Sequence, residues 1–573
     1  MRTLLSLSLC CLSLVLPAWG AAEPEAPTGF LSRPEVTAAH YMAATANPHA
    51  TEAARAVLAE GGSAVDAAIA AQMVLTLTEP QSSGIGGGLF MVFWDNEAGK
   101  LVTLDGRETA PASAHPNLFL DKDGHPAGFM DAVVGGRSVG VPGVVAALYE
   151  AHQRYGKLPW ARLLQPAITL AEQGFEVSPR LAALLARQLN PGLLRPGPAR
   201  DYFYPGGKPL TAGTRLLNPE LATTLRRVAA QGPDGFYRGP VAKAMVAAIN
   251  RDASHPGGLS LADLADYRPQ WRAPVCVPYR QFEVCGMGPP SSGAVTVGQI
   301  LGLLAADNVA SMAPNGIEFI HRFAQASRLA YADRNYYLAD SDFVAVPVEG
   351  LLDPAYLAQR RALMPPQRDG GSASAGTFAP MPGPDATEAL PSTSHMVMAD
   401  REGNLLSLTS SIEMGFGSSV MSGGFLLNNQ LTDFSRHPGP AGQPAANRVE
   451  AGKRPRSSMA PTIVMGPQGH PVLAIGSPGG SRIISYVAQT TMAILDWQMP
   501  LAEAMALPRV SHRNDYLALE AGQAWDQVVP ALEARGYRVK QVPLNSGVQV
   551  IQKTPTGWVG AADPRREGIA SGG

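Results

Sequence analysis

Apolar positions run along this chain in two rhythms, and the change from one to the other follows a stretch that has neither. A helical spacing dominates the first part. Thr51–Glu60 is alanine-rich, Gly61-Gly62 interrupts it and Ala64–Thr76 resumes it, so two helices with a glycine stop between them are expected. Both are largely apolar, which places them under a sheet rather than at the surface. Further helices are read at Val144–Tyr155, Pro219–Gln231, Val241–Arg251 and Glu318–Ala332, and Asn218-Pro219 supplies a cap and first turn for the second of these. The run Gly84-Ile-Gly-Gly-Gly88 leads straight into a β-like stretch ending near Trp94. It fits neither a phosphate loop nor a dinucleotide fingerprint, so its glycines are read as points of tight packing or unusual backbone angle.

Residues 365–391, rich in Pro, Gly and Ser, break the helical rhythm and read as a flexible linker with little to bury. Strand-like runs begin just past it. His395–Asp400 and Leu405–Ser410 flank the hairpin signal Arg401-Glu-Gly-Asn404, and others follow at Phe425–Asn428, Thr462–Met465, Val472–Ile475, Gly547–Gln552 and Trp558–Ala562. One long helical pattern, Gly480–Trp497, lies among them. Strands packed with long apolar helices predict a layered α+β fold. A helix-rich part, a linker and a β-rich part make an arrangement that processing could divide.

Composition adds bounds to this picture. Met1-Arg2, the apolar run Leu4–Leu16 and Pro17-Ala-Trp-Gly20 have the layout of a secretory signal, with residues 1–21 expected to be removed. The implied destination is the periplasm or the outside of the cell. No later run is long enough to span a bilayer, so no membrane anchor is expected. A net charge of -2 supplies no attraction for nucleic acid. The 573 residues exceed a usual domain and suggest two or more folding units, while 16% charged and 46% hydrophobic residues suit a large core. Cys276 and Cys285 flank a possible hairpin at Pro278-Tyr-Arg280; they are either a disulfide, natural in an oxidising compartment, or two buried thiols. With no Cys-x-x-Cys and no His-Glu-x-x-His, no metal site is expected.

One junction suggests chemistry. In Pro391-Ser-Thr-Ser-His395 a hydroxyl residue stands where the linker meets the first strand. Cleavage before such a residue would leave a hydroxyl nucleophile and a free α-amine, of pKa near 8, on the same residue. Taken alone, the local sequence favours the plainer reading, in which Thr393 is an ordinary strand-start threonine.

The wider motifs change that weighting. Thr393-Ser-His, Asp400-Arg-Glu-Gly-Asn404, Phe425-Leu-Leu-Asn-Asn-Gln-Leu-Thr-Asp-Phe434, Lys453-Arg-Pro-Arg-Ser-Ser-Met459 and Gly476-Ser-Pro-Gly-Gly-Ser-Arg482 occur in order. Upstream stand Glu60–Ala68, Gly84–Gly88, Asp105-Gly-Arg-Glu108, Val139–Gly143, Pro289–Gly293 and Tyr331-Ala-Asp-Arg334. Together they resemble the gamma-glutamyltransferase family over nearly the whole chain. The resemblance implies a four-layer αββα N-terminal-nucleophile hydrolase, made as one precursor and cut at Ser392–Thr393. The products would be a large subunit of residues 22–392 and a small subunit of residues 393–573, forming a heterodimer.

The implied reaction is attack by Thr393 on a γ-glutamyl amide, glutathione being the usual donor, with water or an amino acid or dipeptide as acceptor. No cofactor is implied. Arg107, Ser457 and Ser458 match the carboxylate grip, for which an arginine fork is well shaped. Asp433, with Gln430 beside it, matches the ammonium site, and Gly479 and Gly480 match the oxyanion hole, where close backbone approach needs glycine. Ser411 stands where many members carry a second threonine, and Glu413 where many carry asparagine. The segment Arg436–Glu450 is shorter than in lidded relatives and has no tyrosine. Two other readings remain at this point: an acylase of the same family taking glutaryl or cephalosporin side chains, and a non-catalytic exported binding protein.

Overall fold

The alanine-rich stretches become helices because their starts are capped. In the computed structural model, which describes residues 29–251, 255–387 and 392–573, Asn47 caps helix Pro48–Ala59 by accepting from His49 N at 3.0 Å. Ser63 and Asp66 close a capping box on helix Ala64–Thr78, which is buried along its whole length. The leader expected at residues 1–21 lies outside the described residues.

Two antiparallel seven-stranded sheets form the centre. The first runs Ile569–Gly572, Met42–Thr45, Ser394–Ala399, Leu405–Ser411, Gly88–Asp95, Lys100–Gly106 and Gln270–Arg272. The second runs Val36–Ala38, Gly557–Ala562, Gln549–Thr554, Pro471–Gly476, Thr462–Met465, Phe282–Gly286 and Val275–Tyr279. Met42, Val92, Val397, Ile463, Ala474 and Ile551 fill the space between them. Helices Pro48–Ala59, Ala64–Thr78 and Val144–Tyr155 cover the outer face of the first sheet. Gly293–Leu304 and Ile483–Leu495 cover the second, and Ile317–Tyr337 packs on Gly293–Leu304. The order of layers is αββα, the N-terminal-nucleophile hydrolase arrangement.

Four sequence readings need correction. Chain length suggested two or more folding units, and the patterning suggested a helical part followed by a β-rich part. Instead, each side of residue 392 contributes seven of the fourteen strands, interleaved within both sheets. Strands such as Gln270–Arg272 and Val36–Ala38 are too short for period-two patterning to show.

The segment 365–387 is also not a loose linker. It has no helix or strand, but Asp369 N donates to Arg535 O at 2.7 Å and Gly376 N to Asp333 Oδ1 at 2.8 Å. The Phe378 ring packs against Tyr356 at 4.9 Å, and Asp385 forms a buried pair with Arg456 at 2.5 Å. Its partners are distant in sequence, so local composition could not show them. The strand read at Phe425–Asn428 shortens to Phe425–Leu426, paired only with Met421–Ser422. Cys276 and Cys285 face each other across neighbouring strands and form a disulfide.

Because strand Ser394–Ala399 is hydrogen-bonded on one side to Met42–Thr45, a single cut between residues 387 and 393 is expected to leave two fragments that migrate together in native gel filtration. They should part only under denaturing conditions; separation in native buffer would contradict the interleaved topology.

Candidate active site

Sheet register assembles the site at one end of the first sheet. Ser394 pairs with Ser410, Ser411 with Gly88 and Leu89 with Gly106. Thr393, Ser411, Gly88 and Arg107 therefore end up side by side at one edge. The glycine loop exists for close approach: a Cβ on Gly87 would lie 2.1 Å from Ser411 O, and one on Gly88 would lie 2.3 Å from Glu108 Oε2. Tight packing, rather than unusual backbone angle, explains these glycines.

Ser392 and Thr393 are both buried. Thr393 Oγ1 donates a short hydrogen bond to the Ser392 carbonyl oxygen. Ser411 Oγ donates to that same oxygen at 2.9 Å, lies 3.4 Å from Thr393 Oγ1 and accepts from Glu413 N at 2.8 Å. On the other side, Ser392 Oγ donates to Gln81 O at 2.7 Å. The hairpin behind Thr393 is locked by Asp400, whose Oδ1 accepts from Asn404 N at 3.0 Å and whose Oδ2 accepts from Ala64 N at 2.9 Å.

A narrow cleft opens in front of Thr393. Arg107, Glu413 and Asp433 line one part of it, and Ser457, Ser458 and Gly480 another. Arg107 is fully buried and pairs with Asp433 Oδ2 at 2.5 Å, while its Nε donates to Pro455 O at 3.1 Å. Burial opposes the guanidinium charge, but Asp433, Glu108 and Glu413 outweigh it and raise the Arg107 pKa. Gln430 stays behind the cleft and donates Nε2 to Glu413 Oε2 at 3.0 Å. Burial and the Asp433 carboxylate beside it hold the Glu413 carboxyl well above its usual range.

The second sheet supplies the remaining pieces. Beyond its strand Pro471–Gly476, Gly479 and Gly480 adopt φ of +136° and +59°, the second opening the turn into helix Ile483–Leu495. Gly480 lines the cleft, and Gly479 packs on Tyr486. Ser458 Oγ accepts from Arg334 Nη2 at 2.6 Å and Ser457 Oγ from Met459 N at 3.1 Å, leaving each hydroxyl proton for an anion.

Sequence reasoning assigned no role to Arg334, although it quoted the motif that contains it. Nor did it single out Arg566, whose Nη1 lies 3.4 Å from Thr393 O. Long-range partners of this kind leave no local signal. Cys276 and Cys285 belong to the second sheet and do not line the cleft. Among the described residues the one group with metal-ligand chemistry is Cys276, Glu283 and Cys285, and there the two sulfurs are already bonded to each other.

Comparison with known proteins agrees with this architecture. The chain superposes on the crystal structure of cephalosporin acylase from Bacillus halodurans with a TM-score of 0.82 and 28% identity, covering 94% of this chain and 97% of that one. Fold and layer order together define an N-terminal-nucleophile hydrolase. A Gamma-glutamyltranspeptidase family profile matches residues 50–573. The chain is 37% identical over 547 residues to a glutathione hydrolase proenzyme of Pseudomonas aeruginosa, covering 92% of this chain and 93% of that protein. It is 36% identical over 537 residues to an acylase proenzyme, ACY 1, of Pseudomonas sp. strain SE83, covering 92% of each. The chain belongs to the gamma-glutamyltranspeptidase family and is an enzyme of γ-glutamyl hydrolysis and transfer. No helix among the described residues is long and apolar enough to cross a membrane.

Glu108 gives a pH test of the buried charges. Neither of its oxygens accepts a hydrogen bond, and Arg107 Nη1 is 3.6 Å away. Burial pushes its carboxyl from 4.5 up to about 8 against the pull of Arg107. Between those values the unfolded chain ionises this group while the folded chain keeps the proton, so its contribution to stability falls as pH rises. E108Q, which mimics the neutral acid, is expected to gain thermal stability relative to wild type as pH rises from about 5 to about 8. A Tm difference that stays constant across that window would refute the assignment.

Proposed function

We propose that the chain cuts itself between Ser392 and Thr393, giving a large subunit of residues 22–392 and a small subunit of residues 393–573, and that Thr393 is then the nucleophile toward γ-glutamyl amides such as glutathione. The observation that carries this reading is the Thr393 hydroxyl held on the carbonyl of the bond to be broken. In the processing step, Thr393 Oγ1 bonds to the Ser392 carbonyl carbon. The C–N bond breaks, and the hydroxyl proton ends on the departing nitrogen. Ser411 stabilises the charge on the carbonyl oxygen from 2.9 Å. That shift frees the α-amine of Thr393, and water then hydrolyses the ester, returning the Thr393 hydroxyl and leaving Ser392 with a C-terminal carboxylate.

That amine then takes the Thr393 hydroxyl proton during attack on the donor. Gly479 and Gly480 provide the oxyanion N–H groups, supported by their positive φ at the head of a helix. Arg107, Ser457 and Ser458 hold the donor's α-carboxylate. Asp433 and Glu413, with Gln430 behind, hold its ammonium. A zwitterionic head group suits this site because it brings a carboxylate for the arginine and a cation for the acids. The leaving amine carries away the proton, and water or the amine of an amino acid or dipeptide resolves the ester. The signal-like start, and relatives that are proenzymes, support an exported enzyme, periplasmic or secreted, working as a heterodimer.

The second reading is an acylase for glutaryl or bulkier acyl groups. It is favoured by an acylase relative as similar as the hydrolases and by the absence of tyrosine from Arg436–Glu450. Two carboxyl groups facing the donor argue against an acyl group that lacks a cation.

T393A is expected to remain one inactive chain by intact mass, whereas wild type gives two fragments with the junction at Ser392–Thr393. Wild type that stays whole yet hydrolyses a γ-glutamyl anilide would refute the mechanism, and addition of a dipeptide acceptor reports transfer. For the head group, E413Q is expected to lower the preference for γ-glutamyl over glutaryl anilide about tenfold, some 1.4 kcal/mol. An unchanged ratio of kcat/KM values would exclude an ammonium-binding role for Glu413.

A further inference from the structure

The segment Glu413–Ser419, which leaves strand Leu405–Ser411 at the edge of the cleft, has a backbone that side chains resist. Glu413, Phe416 and Ser419 have φ of +79°, +67° and +61°, and Gly417 between them has +56°. A non-glycine residue held in this region is strained and persists only where its surroundings dictate it. Three within seven residues need strong anchors.

Those anchors come from the other side of the Ser392–Thr393 junction. Asn190 is fully buried at the head of the turn Pro191–Leu194. Its Nδ2 donates to Gly415 O at 3.1 Å and to Gly417 O at 2.9 Å, and its Oδ1 accepts from Gly192 N at 3.0 Å. Both amide hydrogens are thus spent on the backbone of this one loop. Phe416 N donates to Gln81 O at 3.1 Å, Gly135 N donates to Ser418 O at 3.0 Å and the Phe416 ring meets Phe203 edge-on at 5.4 Å. At the loop's near end Glu413 faces the cleft, its carboxyl held by Gln430.

We propose that Asn190 is a positioning residue for donor selection: by gripping Gly415 and Gly417 it keeps the strained loop in the form that presents Glu413 to the α-ammonium of a γ-glutamyl donor. The inference rests on the head-group role given to Glu413 above. Without the amide, two buried carbonyls lose their donors and the loop gains by relaxing its left-handed residues, which swings Glu413 away. The backbone at Thr393 and Ser411 is held by the sheet register, and Ser411 Oγ keeps its bond to the Ser392 carbonyl oxygen, so the acyl-transfer chemistry itself is spared.

The test uses the processed enzyme with γ-glutamyl and glutaryl anilides. N190A is expected to raise KM for the γ-glutamyl donor and lower the γ-glutamyl-to-glutaryl ratio of kcat/KM about tenfold, with glutaryl hydrolysis within about twofold of wild type. In an E413Q background the same substitution is expected to leave the ratio unmoved. N190S keeps one donor and should fall between wild type and N190A; it carries the comparison if the alanine variant is not recovered as two fragments. Equal losses on both donors, no change on either, or a further fall in the ratio in the E413Q background would each overturn the proposal. A wild-type ratio unaffected by E413Q would instead show that the head-group reading itself had failed.

Discussion

The site depends above all on strand Ser394–Ala399 lying in one register between Met42–Thr45 and Leu405–Ser411. Both faces of that strand are committed. Met396 and Met398 enter the core beneath the helices, while Val397 and Ala399 enter the layer between the sheets. A slip of one residue would exchange the two sets and move Thr393 off Ser411, so burial of ordinary apolar side chains fixes the position of the reactive hydroxyl. Because the neighbouring strand comes from far upstream, the geometry of the Ser392–Thr393 bond exists only once both halves of the chain have folded together.

Charge is the second constraint. Arg107 stands among Glu108, Glu413 and Asp433, all buried, with Asp433 hydrogen-bonded to it and a Glu108 oxygen 3.6 Å away. Removing several acids from water beside one guanidinium favours keeping protons on some of them, and Glu108 and Glu413 are both shifted that way. The ammonium of the proposed γ-glutamyl donor would add positive charge beside these acids. Acids gathered around one guanidinium suit a zwitterionic head group better than a bare acyl chain.

Much of this was legible in order along the chain. The helix resuming after Gly61-Gly62, the helix start at Asn218, the hairpin at Arg401–Asn404 and the glycine pair ahead of helix Ile483–Leu495 carry their own local chemistry, and each appears in the structure where its residues indicate. What local reading missed depends on partners hundreds of residues away. The segment 365–387 looked unanchored because its hydrogen-bond partners, Asp333 and Arg535 among them, lie outside it. Arg334 behind Ser458, Arg566 at the Thr393 carbonyl and Asn190 behind the Glu413 loop were silent for the same reason.

The sequence by itself determined which chemistry is available: a hydroxyl at a junction, an arginine, acids, paired serines and glycines in an order that marks the family, together with the apolar rhythm that makes helices and strands. These are local or additive properties, written in residue type and spacing. Only the tertiary structure decided that the two halves share both sheets, that Thr393 sits opposite Ser411 with its hydroxyl on the Ser392 carbonyl, and that Arg107 meets Asp433 at the cleft. Those outcomes follow from strand register and burial, which bring together residues whose separation in sequence carries no trace of their contact.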